Sequence, residues 1–212
     1  MVSLNTDIVR AALALDDPAF DPVAAQERIS RGPRSQSMEW KHESDPRLAA
    51  TLLLLCPQGT GLHFLLTRRP DTLNKHAGQI SFPGGKQEPG ETFVQTALRE
   101  TCEEVGICDR VEILGALTPL WIPPTNYLVH PQVGYIKKLP PLRIDPAEVA
   151  EVFHTPLAIL LDESVKGRDT MQYKDRTFEY GFYHVQGHHV WGATAAMLSE
   201  FEMRLRLTLN TQ

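Results

Sequence analysis

The sequence lacks a long hydrophobic run. Its apolar stretches, such as Leu52–Cys56, are far shorter than the about 20 residues that a membrane-spanning helix needs. The first twenty residues have no unbroken apolar core either, because Asp7, Arg10, Asp16 and Asp17 interrupt it. We therefore expect no secretory signal and no contact with a membrane, and we take the cytoplasm as the default location.

Cysteine is scarce. The 212 residues include three cysteines, Cys56, Cys102 and Cys108. Their spacing matches neither a metal-binding motif nor an obvious disulfide framework. We expect each cysteine to fill space in the fold, and this sparing use suits a reducing compartment.

Positive charge is not in excess. The 21 Lys and Arg residues are outnumbered by 26 Asp and Glu residues, giving a net charge of −5 and an isoelectric point of about 5.9. This balance does not indicate a groove for nucleic acid. An acidic protein that binds polyphosphate groups must bring metal ions or local basic residues to its site.

What the chain does contain is a series of apolar strand patterns interrupted by helical ones. Strands are predicted at Leu48–Cys56, Leu62–Thr67, Gly78–Phe82, Val111–Leu120, Leu128–Ile136 and Val149–His154, with a late hairpin of Met171–Lys174 and Thr177–Gln186. Helices are predicted at Thr92–Val105, Pro156–Leu161 and Ala193–Leu209. Strands interleaved with helices indicate an α/β layered domain with a mixed sheet.

The first 45 residues read as an accessory segment. Thr6 or Asp7 can cap a helix that runs through Leu15, and Asp21-Pro22 is a good start for a second helix ending near residue 30. The polar stretch 31–46, which contains Gly, Pro and Ser, is predicted to be a linker. We therefore divide the chain into an N-terminal helical extension with its linker, residues 1–45, and a main domain, residues 46–212.

The most informative segment is an acidic cluster between two glycines. Glu91, Arg99, Glu100, Glu103 and Glu104 stand at fixed offsets between Gly85 and Gly106. On a helix at about 100° per residue, the last three carboxylates share one face. Like charges at this spacing repel one another. They are explained if a hard cation lies among them, because Mg²⁺ prefers oxygen ligands and phosphate groups. The plain alternative is a solvated, Glu-rich helix.

This spacing, Gly-x5-Glu-x7-Arg-Glu-x-x-Glu-Glu-x-Gly followed by Ile107, resembles the signature of the Nudix hydrolases. The resemblance implies the Nudix fold, an α/β/α sandwich, and the hydrolysis of a pyrophosphate linkage with Mg²⁺ or Mn²⁺. It also implies roles for the matching residues. Glu100, Glu103 and Glu104 would bind the metal with the carbonyl group of Gly84, while Arg99 would pair with Glu91 and orient the cluster.

A catalytic base in such enzymes is often a carboxylate outside this signature. The segment Glu148-Val-Ala-Glu151 precedes the short helix at Pro156 and resembles the family's late Glu-bearing strand. Glu148 is the first candidate and Glu151 the alternative. Either of them is also compatible with a plain surface position.

The segment before the acidic cluster bears on the substrate. Leu65-Leu66-Thr67 with Arg69, followed by Gly78 and Phe82-Pro83-Gly84-Gly85, resembles the segment of coenzyme A pyrophosphatases within the Nudix group. Pro70 and Asn74 depart from that pattern, and asparagine cannot grip a phosphate as arginine does. The resemblance implies cleavage of coenzyme A or acyl-CoA. The alternatives are another nucleoside diphosphate derivative, such as ADP-ribose, NADH or a dinucleoside polyphosphate, and a binding module without turnover.

A small nucleotide substrate needs cationic and polar partners. Arg68, Arg69 and Lys75 are the cationic candidates, although arginines after a strand are often simply solvent-exposed. Asn126, in the stiff loop after Pro123-Pro124, can contact substrate or form a structural corner. Because Nudix proteins often dimerise, the resemblance also allows a homodimer.

Overall fold

The computed structural model describes residues 4–29, 44–72, 78–173 and 176–210. The α-helices in these ranges are α1 (Thr6–Leu13), α2 (Pro22–Glu27), α3 (Phe93–Val105) and α4 (Gly192–Asn210). Short 3₁₀ helices lie at Pro123–Thr125, Leu157–Leu161 and Glu163–Val165, so the helix predicted at Pro156–Leu161 is a 3₁₀ helix that begins one residue later. The strands are β1 (Arg47–Gln58), β2 (Gly61–Arg68), β3 (Ile80–Ser81), β4 (Gly84–Lys86), β5 (Glu112–Ala116), β6 (Leu120–Ile122), β7 (Tyr127–Tyr135), β8 (Glu151–Pro156), β9 (Lys166–Tyr173), β10 (Arg176–Val185) and β11 (His188–Trp191). None of the helices in these ranges is long and apolar enough to cross a membrane.

Strands β1 to β8 form one mixed sheet, and β9 to β11 form a second, antiparallel sheet. The mixed character comes from the centre of the large sheet, where β1 runs parallel to β7 along residues 47–55 and 127–135. The other described pairings of the large sheet are antiparallel. The predicted α/β fold with a mixed sheet is therefore confirmed.

The continuous apolar run of β1 is explained by burial on both faces of the sheet. Leu52 and Leu54 pack with α3, whereas Leu53 and Leu55 pack with α4 and the small sheet. Successive side chains of a strand point to opposite faces, so a strand covered on both sides has no polar positions to alternate. The result is a layered arrangement with α3 on one face of the large sheet and α4 on the other.

The segment from β3 to β4 is wedged between β1 and β2. β1 pairs with β2 at its C-terminal end, where Leu55 lies opposite Phe64, but nearer its start it pairs with β4, where Thr51 lies opposite Gly84. A side chain at Gly84 has no room, because its Cβ would lie 2.4 Å from the carbonyl oxygen of Ala50. Glycine at this position lets the chain enter the sheet directly before the acidic cluster.

Helices α1 and α2 pack directly on α4. Val9 of α1 is fully buried in the same core as α4. Ser199 of α4 donates a hydrogen bond to the carbonyl oxygen of Ala25 at 2.7 Å. The N-terminal helices thus share the core of the main domain, while the linker predicted over residues 31–46 lies largely outside the described residues, and the boundary at residues 45 and 46 stays a prediction.

Two local predictions are corrected. The first helix is capped by Asn5, whose side chain accepts from the Ile8 N–H, rather than by Thr6 or Asp7. The strand predicted at Val111–Leu120 is two strands, β5 and β6. Between them, the N–H and hydroxyl groups of Thr118 donate to the carboxylate of Glu200, which draws the chain out of the sheet.

Candidate active site

The helix that carries the acidic cluster, α3, is capped at both ends by its own sequence. At its start, Thr92 and Gln95 exchange hydrogen bonds: the Gln95 N–H donates to Thr92 Oγ1 at 3.2 Å, and the Thr92 N–H donates to the Gln95 side chain at 2.8 Å. At its end, Gly106 adopts a left-handed conformation with φ 77°, and its N–H donates to the carbonyl oxygen of Cys102. These caps fix the extent of the helix that presents the carboxylates.

Arg99 lies at the centre of the cluster. Its Nε and Nη2 donate to the two oxygens of Glu91 at 2.7 and 3.1 Å. Its Nη1 donates to Glu100 at 2.9 Å and to Glu103 at 3.0 Å. Hydrogen bonding to Glu91 raises the pKa of Arg99 above its ordinary value. One guanidinium group thus offsets the repulsion among three carboxylates.

Glu91 is held by more than Arg99. Its Oε2 also accepts from the Glu88 N–H at 3.1 Å and from the hydroxyl of the fully buried Thr96 at 2.8 Å. The hydrogen bonds from Arg99, the Glu88 backbone and Thr96 lower the pKa of Glu91 to about 2. Sequence reasoning missed Thr96, although a hydroxyl four residues after the helix cap, on the inner face, was a signal that could have indicated it.

Glu104 is the buried carboxylate of the cluster, with 4% of its surface exposed. Loss of solvation raises its pKa to about 8, and the charges of Glu148 and Glu100 act in the same direction. A hydrogen bond from the Gly84 backbone and the charge of Arg69 oppose the rise. Burial likewise raises the pKa of Glu100, against the effect of Arg99. Burial therefore disfavours the charged form of two carboxylates of α3.

The turn before β8 brings Glu148 to this cluster. The Asp145 N–H donates to the carbonyl oxygen of Glu104 at 3.0 Å, and the Glu148 N–H donates to the carbonyl oxygen of Asp145 at 3.1 Å. The charge of Glu148 acts on both Glu100 and Glu104. Glu151 instead lies on β8 opposite Arg68. The structure therefore separates the two candidate bases.

It also separates the two arginines at the end of β2. Arg68 forms an ion pair with Asp71 at 2.6 Å, whereas the charge of Arg69 lowers the pKa of the buried Glu104. The backbone of Arg69 is fixed by two hydrogen bonds with the residues before β3. The third cationic candidate, Lys75, lies outside the described residues.

Asn126 has its side chain engaged in a corner of the fold. Its Oδ1 accepts from Trp121 Nε1 at 3.1 Å, and its Nδ2 donates to the carbonyl oxygens of Ser44 and Asp45 at 3.2 and 3.4 Å. The side chain is almost fully buried, with 8% exposed, and the backbone is left-handed with φ 52°. The sequence left two roles open for Asn126, a substrate contact or a structural corner, and these contacts are those of a structural corner.

The carboxylates of the cluster have the chemistry of a site for a divalent cation but are not arranged as one. In the part of the chain that the structure describes, no three His, Cys, Asp or Glu side chains stand close enough together to hold a metal ion as they are. In this arrangement Glu100 and Glu103 both accept hydrogen bonds from Arg99 Nη1. The oxygen ligands of Glu100, Glu103 and Glu104 nevertheless suit Mg²⁺ or Mn²⁺. A cation would also favour the charged form of the buried Glu104.

Two of the cysteines form a disulfide, which corrects the prediction that all three only fill space. Cys102 and Cys108 are joined, with their Cα atoms 4.4 Å apart. Their spacing matches no framework, but the left-handed turn at Gly106 brings the chain back alongside the last turn of α3. Cys56 is buried and free, as predicted for a packing residue.

Comparison with known proteins identifies the family. The family model of the NUDIX domain matches residues 45–174. An uncharacterized Nudix hydrolase, NudL, from Photorhabdus laumondii is 39% identical over 165 residues, covering 76% of this chain and 86% of that protein. The NudL protein of Yersinia pestis is 34% identical over 166 residues, covering 76% and 80%. The chain belongs to the Nudix family and is a Nudix hydrolase.

Solved structures agree on the fold. A MutT protein from Methanosarcina mazei has a TM-score of 0.52 at 21% identity and covers 81% of this chain and 100% of its own. The Nudix hydrolase RenU from M. smegmatis has a TM-score of 0.53 at 18% identity and covers 79% and 88%. At these identities the likeness concerns the fold alone. The predicted Nudix fold is confirmed, while the substrate is a separate question.

Proposed function

We propose that this Nudix hydrolase cleaves the pyrophosphate bond of coenzyme A or acyl-CoA, releasing 3′,5′-ADP and 4′-phosphopantetheine or its acyl form. The observation that carries the proposal is the buried Glu104 near the end of α3, whose carbonyl oxygen accepts from Asp145 in the turn that carries Glu148. The charge of Glu148 raises the pKa of Glu104 and of Glu100, and the charge of Arg69 lowers that of Glu104. With a divalent cation among them, these groups suit a diphosphate. The choice of coenzyme A is supported by the segment 65–85, which resembles that of coenzyme A pyrophosphatases.

Mg²⁺ or Mn²⁺ is the proposed cofactor, and Glu100, Glu103, Glu104 and the carbonyl group of Gly84 are the groups that would hold it. When bound, such a cation neutralises charge on the phosphate oxygens and favours deprotonation of the attacking water. Of the three carboxylates, Glu104 is buried, Glu100 is half-buried and Glu103 is exposed. The side chain of Glu103 is 58% exposed, and its contact in this cluster is with Arg99.

Glu148 is the proposed general base. It lies in a turn whose backbone is hydrogen-bonded to the Glu104 carbonyl group, and its charge raises the pKa of Glu100 and Glu104. In the reaction, the water oxygen forms a bond to phosphorus, the bridging P–O bond breaks, and the proton of the water passes to the Glu148 carboxylate. Glu151 lies on β8 in register with Arg68, so we assign it no part in this step.

Arg69 is the proposed anchor for the diphosphate. The charge of its guanidinium lowers the pKa of Glu104, and the group can offer several N–H donors to phosphate oxygens. Arg68 is already bonded to both oxygens of Asp71 at 2.6 Å, so its charge is largely offset. We leave Asn126 out of the proposed substrate contacts because its amide is used within the fold. Lys75 stays a prediction.

A substrate panel tests the proposal. The purified protein is incubated with Mn²⁺ and with coenzyme A, acetyl-CoA, ADP-ribose, NADH or diadenosine tetraphosphate, and products are identified by mass spectrometry. We expect 3′,5′-ADP from coenzyme A and the highest kcat/KM for coenzyme A or its thioester. A higher kcat/KM for another panel member would replace the substrate, and turnover of none would indicate a binding module.

Two variants connect the activity to the cluster. Glu103→Gln and Glu104→Gln each remove a proposed metal ligand, and each is expected to raise the activation barrier by several kcal/mol, which is on the order of 10³-fold in kcat. Glu163→Gln is the matched control, because Glu163 is 69% exposed and lies after β8, outside the cluster. Unchanged rates in both cluster variants would refute the assignment of the site.

A further inference from the structure

The disulfide closes a covalent ring at the end of the catalytic helix. Cys102 lies between Glu100 and Glu103 in the sequence, and Cys108 follows six positions after Cys102. The ring therefore contains Glu103 and Glu104, two of the three proposed metal-binding carboxylates. We propose that this cysteine pair is a reversible thiol–disulfide site, that its oxidised form holds the catalytic helix in its active geometry, and that a dithiol reductant lowers the activity.

The position of the pair makes it accessible to reagents in solution. Cys108 is exposed and Cys102 is half-buried. Cys56, by contrast, is 2% exposed within the core beneath α3. Thiol–disulfide exchange depends on access of the attacking thiolate to sulfur. A reductant thus reaches Cys108 without unfolding of the chain, and Cys56 does not compete in the exchange.

The chemistry is an exchange that balances with one dithiol. A thiolate of the reductant attacks Cys108 Sγ, the S–S bond breaks, and Cys102 leaves as a thiolate that takes up a proton. The second thiol of the reductant then attacks the mixed disulfide, and Cys108 leaves as a thiol. Two electrons pass from the reductant, which becomes a disulfide, to the two cysteine sulfurs. A small-molecule disulfide drives the reverse reaction.

The ring is connected to the proposed catalytic base by backbone hydrogen bonds. The carbonyl oxygen of Glu104 accepts from the Asp145 N–H at 3.0 Å, and that of Val105 accepts from the Arg143 N–H at 3.0 Å. The Asp145 carbonyl oxygen in turn accepts from the Glu148 N–H at 3.1 Å. Both acceptor carbonyls on α3 belong to residues inside the ring. The turn that carries Glu148 is therefore attached to the segment that the disulfide restrains.

Reduction removes the covalent restraint from the last turn of α3. The final carbonyl groups of a helix have no partners within the helix, and helix ends open more easily than helix centres. Opening of this turn displaces Glu104 and the attached Glu148 together. The inference rests on the proposed function for the roles of these two carboxylates, but the state of the cysteines and the opening of the turn are measured without a substrate.

The first experiment determines the redox state and its physical effect. The protein is purified in air, denatured, alkylated and weighed by mass spectrometry, before and after treatment with dithiothreitol. We expect one alkylated cysteine before treatment and three after it. In the native protein, hydrogen exchange of the amides of residues 103–108 is expected to be faster after reduction. Three reactive thiols that persist after incubation with oxidised glutathione would overturn the proposal.

The second experiment determines the effect on function. Reduced protein is freed of dithiothreitol under nitrogen, and its Mn²⁺ affinity and its kcat on the best substrate of the panel are compared with those of the oxidised protein. We expect at least about a fivefold fall in kcat and weaker Mn²⁺ binding, both reversed by oxidised glutathione. Equal Mn²⁺ affinity and equal kcat in the two states would overturn the proposal. If coenzyme A is not a substrate, the proposed substrate fails, while the cysteine count, hydrogen exchange and Mn²⁺ affinity still decide this inference.

Variants separate the pair from other effects of reductant. Cys102→Ser and Cys108→Ser are each expected to show the kcat of the reduced protein and no response to dithiothreitol. Cys56→Ser is the control and keeps the full response. A thermal melt of each variant checks that it is folded. A response to dithiothreitol that survives in both single variants of the pair would place the sensitive group elsewhere.

Discussion

The carboxylate of Glu100 occupies the space in which a side chain at Gly85 would begin. A Cβ atom on Gly85 would stand 2.5 Å from the carboxyl carbon of Glu100, well inside the distance at which non-bonded carbon atoms meet. Gly85 cannot easily retreat, because β4 holds it opposite Ala50 of β1 in the centre of the sheet. The position of a proposed metal ligand therefore depends on the absence of a side chain at residue 85.

The variant Gly85→Ala is expected to displace the Glu100 carboxylate. Because a misplacement of about 1 Å in a catalytic group can cost on the order of 10²-fold in rate, we expect a fall of that size in kcat. The loss of folding free energy should be about 1–3 kcal/mol, the usual cost of an added methyl group in a packed site. Steady-state kinetics and urea unfolding measure the two quantities.

Gly61→Ala is the control for this variant, because a Cβ at Gly61 meets nothing within 4 Å. We expect it to keep both activity and stability. A Gly85→Ala enzyme with undiminished kcat would show that Glu100 functions equally well from a displaced position.

The two neighbouring arginines should differ in their effect on substrate binding. The charge of Arg69 lowers the pKa of Glu104 in the proposed site, whereas Arg68 forms an ion pair with Asp71. Arg69→Ala is expected to raise the KM by about tenfold or more, which corresponds to about 1.4 kcal/mol, a typical value for a lost charge-assisted hydrogen bond. Arg68→Ala is the matched variant, and its KM should change less than about threefold. Equal increases of KM in both variants would contradict the distinct roles.

The ion pair of Glu91 should be visible in the acid stability of the protein. The folded state lowers the pKa of Glu91 from 4.5 to about 2, so this group stabilises the fold above its ordinary pKa and the contribution is lost as the pH falls toward the lowered value. Glu91→Gln removes this titration. In urea unfolding with a chelator present, the wild type should be more stable than the variant near about pH 6, and the difference should shrink between about pH 5 and about pH 3.

An exposed neighbour provides the control for this measurement. Glu88→Gln changes a side chain that is exposed at the start of the same loop. Its difference from the wild type should be small at every pH. A difference between wild type and Glu91→Gln that stays constant down to about pH 3 would show that the carboxylate is not stabilised by Arg99.

The sequence was most informative where local rules and chemistry agree. Thr92, Gln95 and Gly106 define the ends of α3 through capping preferences that act over three or four residues. The spacing of the acidic residues places their side chains on one face of a helix, so the Nudix signature was sufficient to locate the cluster. The apolar runs of β1 and β2 likewise predicted buried strands, because burial on both faces leaves a continuous pattern.

What the sequence did not reveal depends on contacts between distant segments. The separation of Arg68 from Arg69 follows from the pairing of β2 with β3, and the engagement of Asn126 follows from its contacts with residues 44 and 45. The disulfide was missed because a spacing of six residues is compatible with many conformations. The left-handed turn at Gly106, which lies between them, brings Cys102 and Cys108 together.

The buried carboxylate of Glu200 is expected to hold the N-terminal helices to the main domain. It is fully buried in α4 and accepts from Gln26 at 2.8 Å, from the hydroxyl of Thr118 at 2.9 Å and from Arg204 Nε at 2.9 Å. Glu200→Gln removes the charge that balances Arg204 and replaces one acceptor with a donor. We expect a loss of about 3–5 kcal/mol in the free energy of unfolding, with faster hydrogen exchange in α2. Glu163→Gln, at a carboxylate that is 69% exposed, should cost less than about 1 kcal/mol. An equal loss of stability in the two variants would contradict this role of Glu200. Unchanged hydrogen exchange in α2 of Glu200→Gln would show that Glu200 does not hold the N-terminal helices to the main domain.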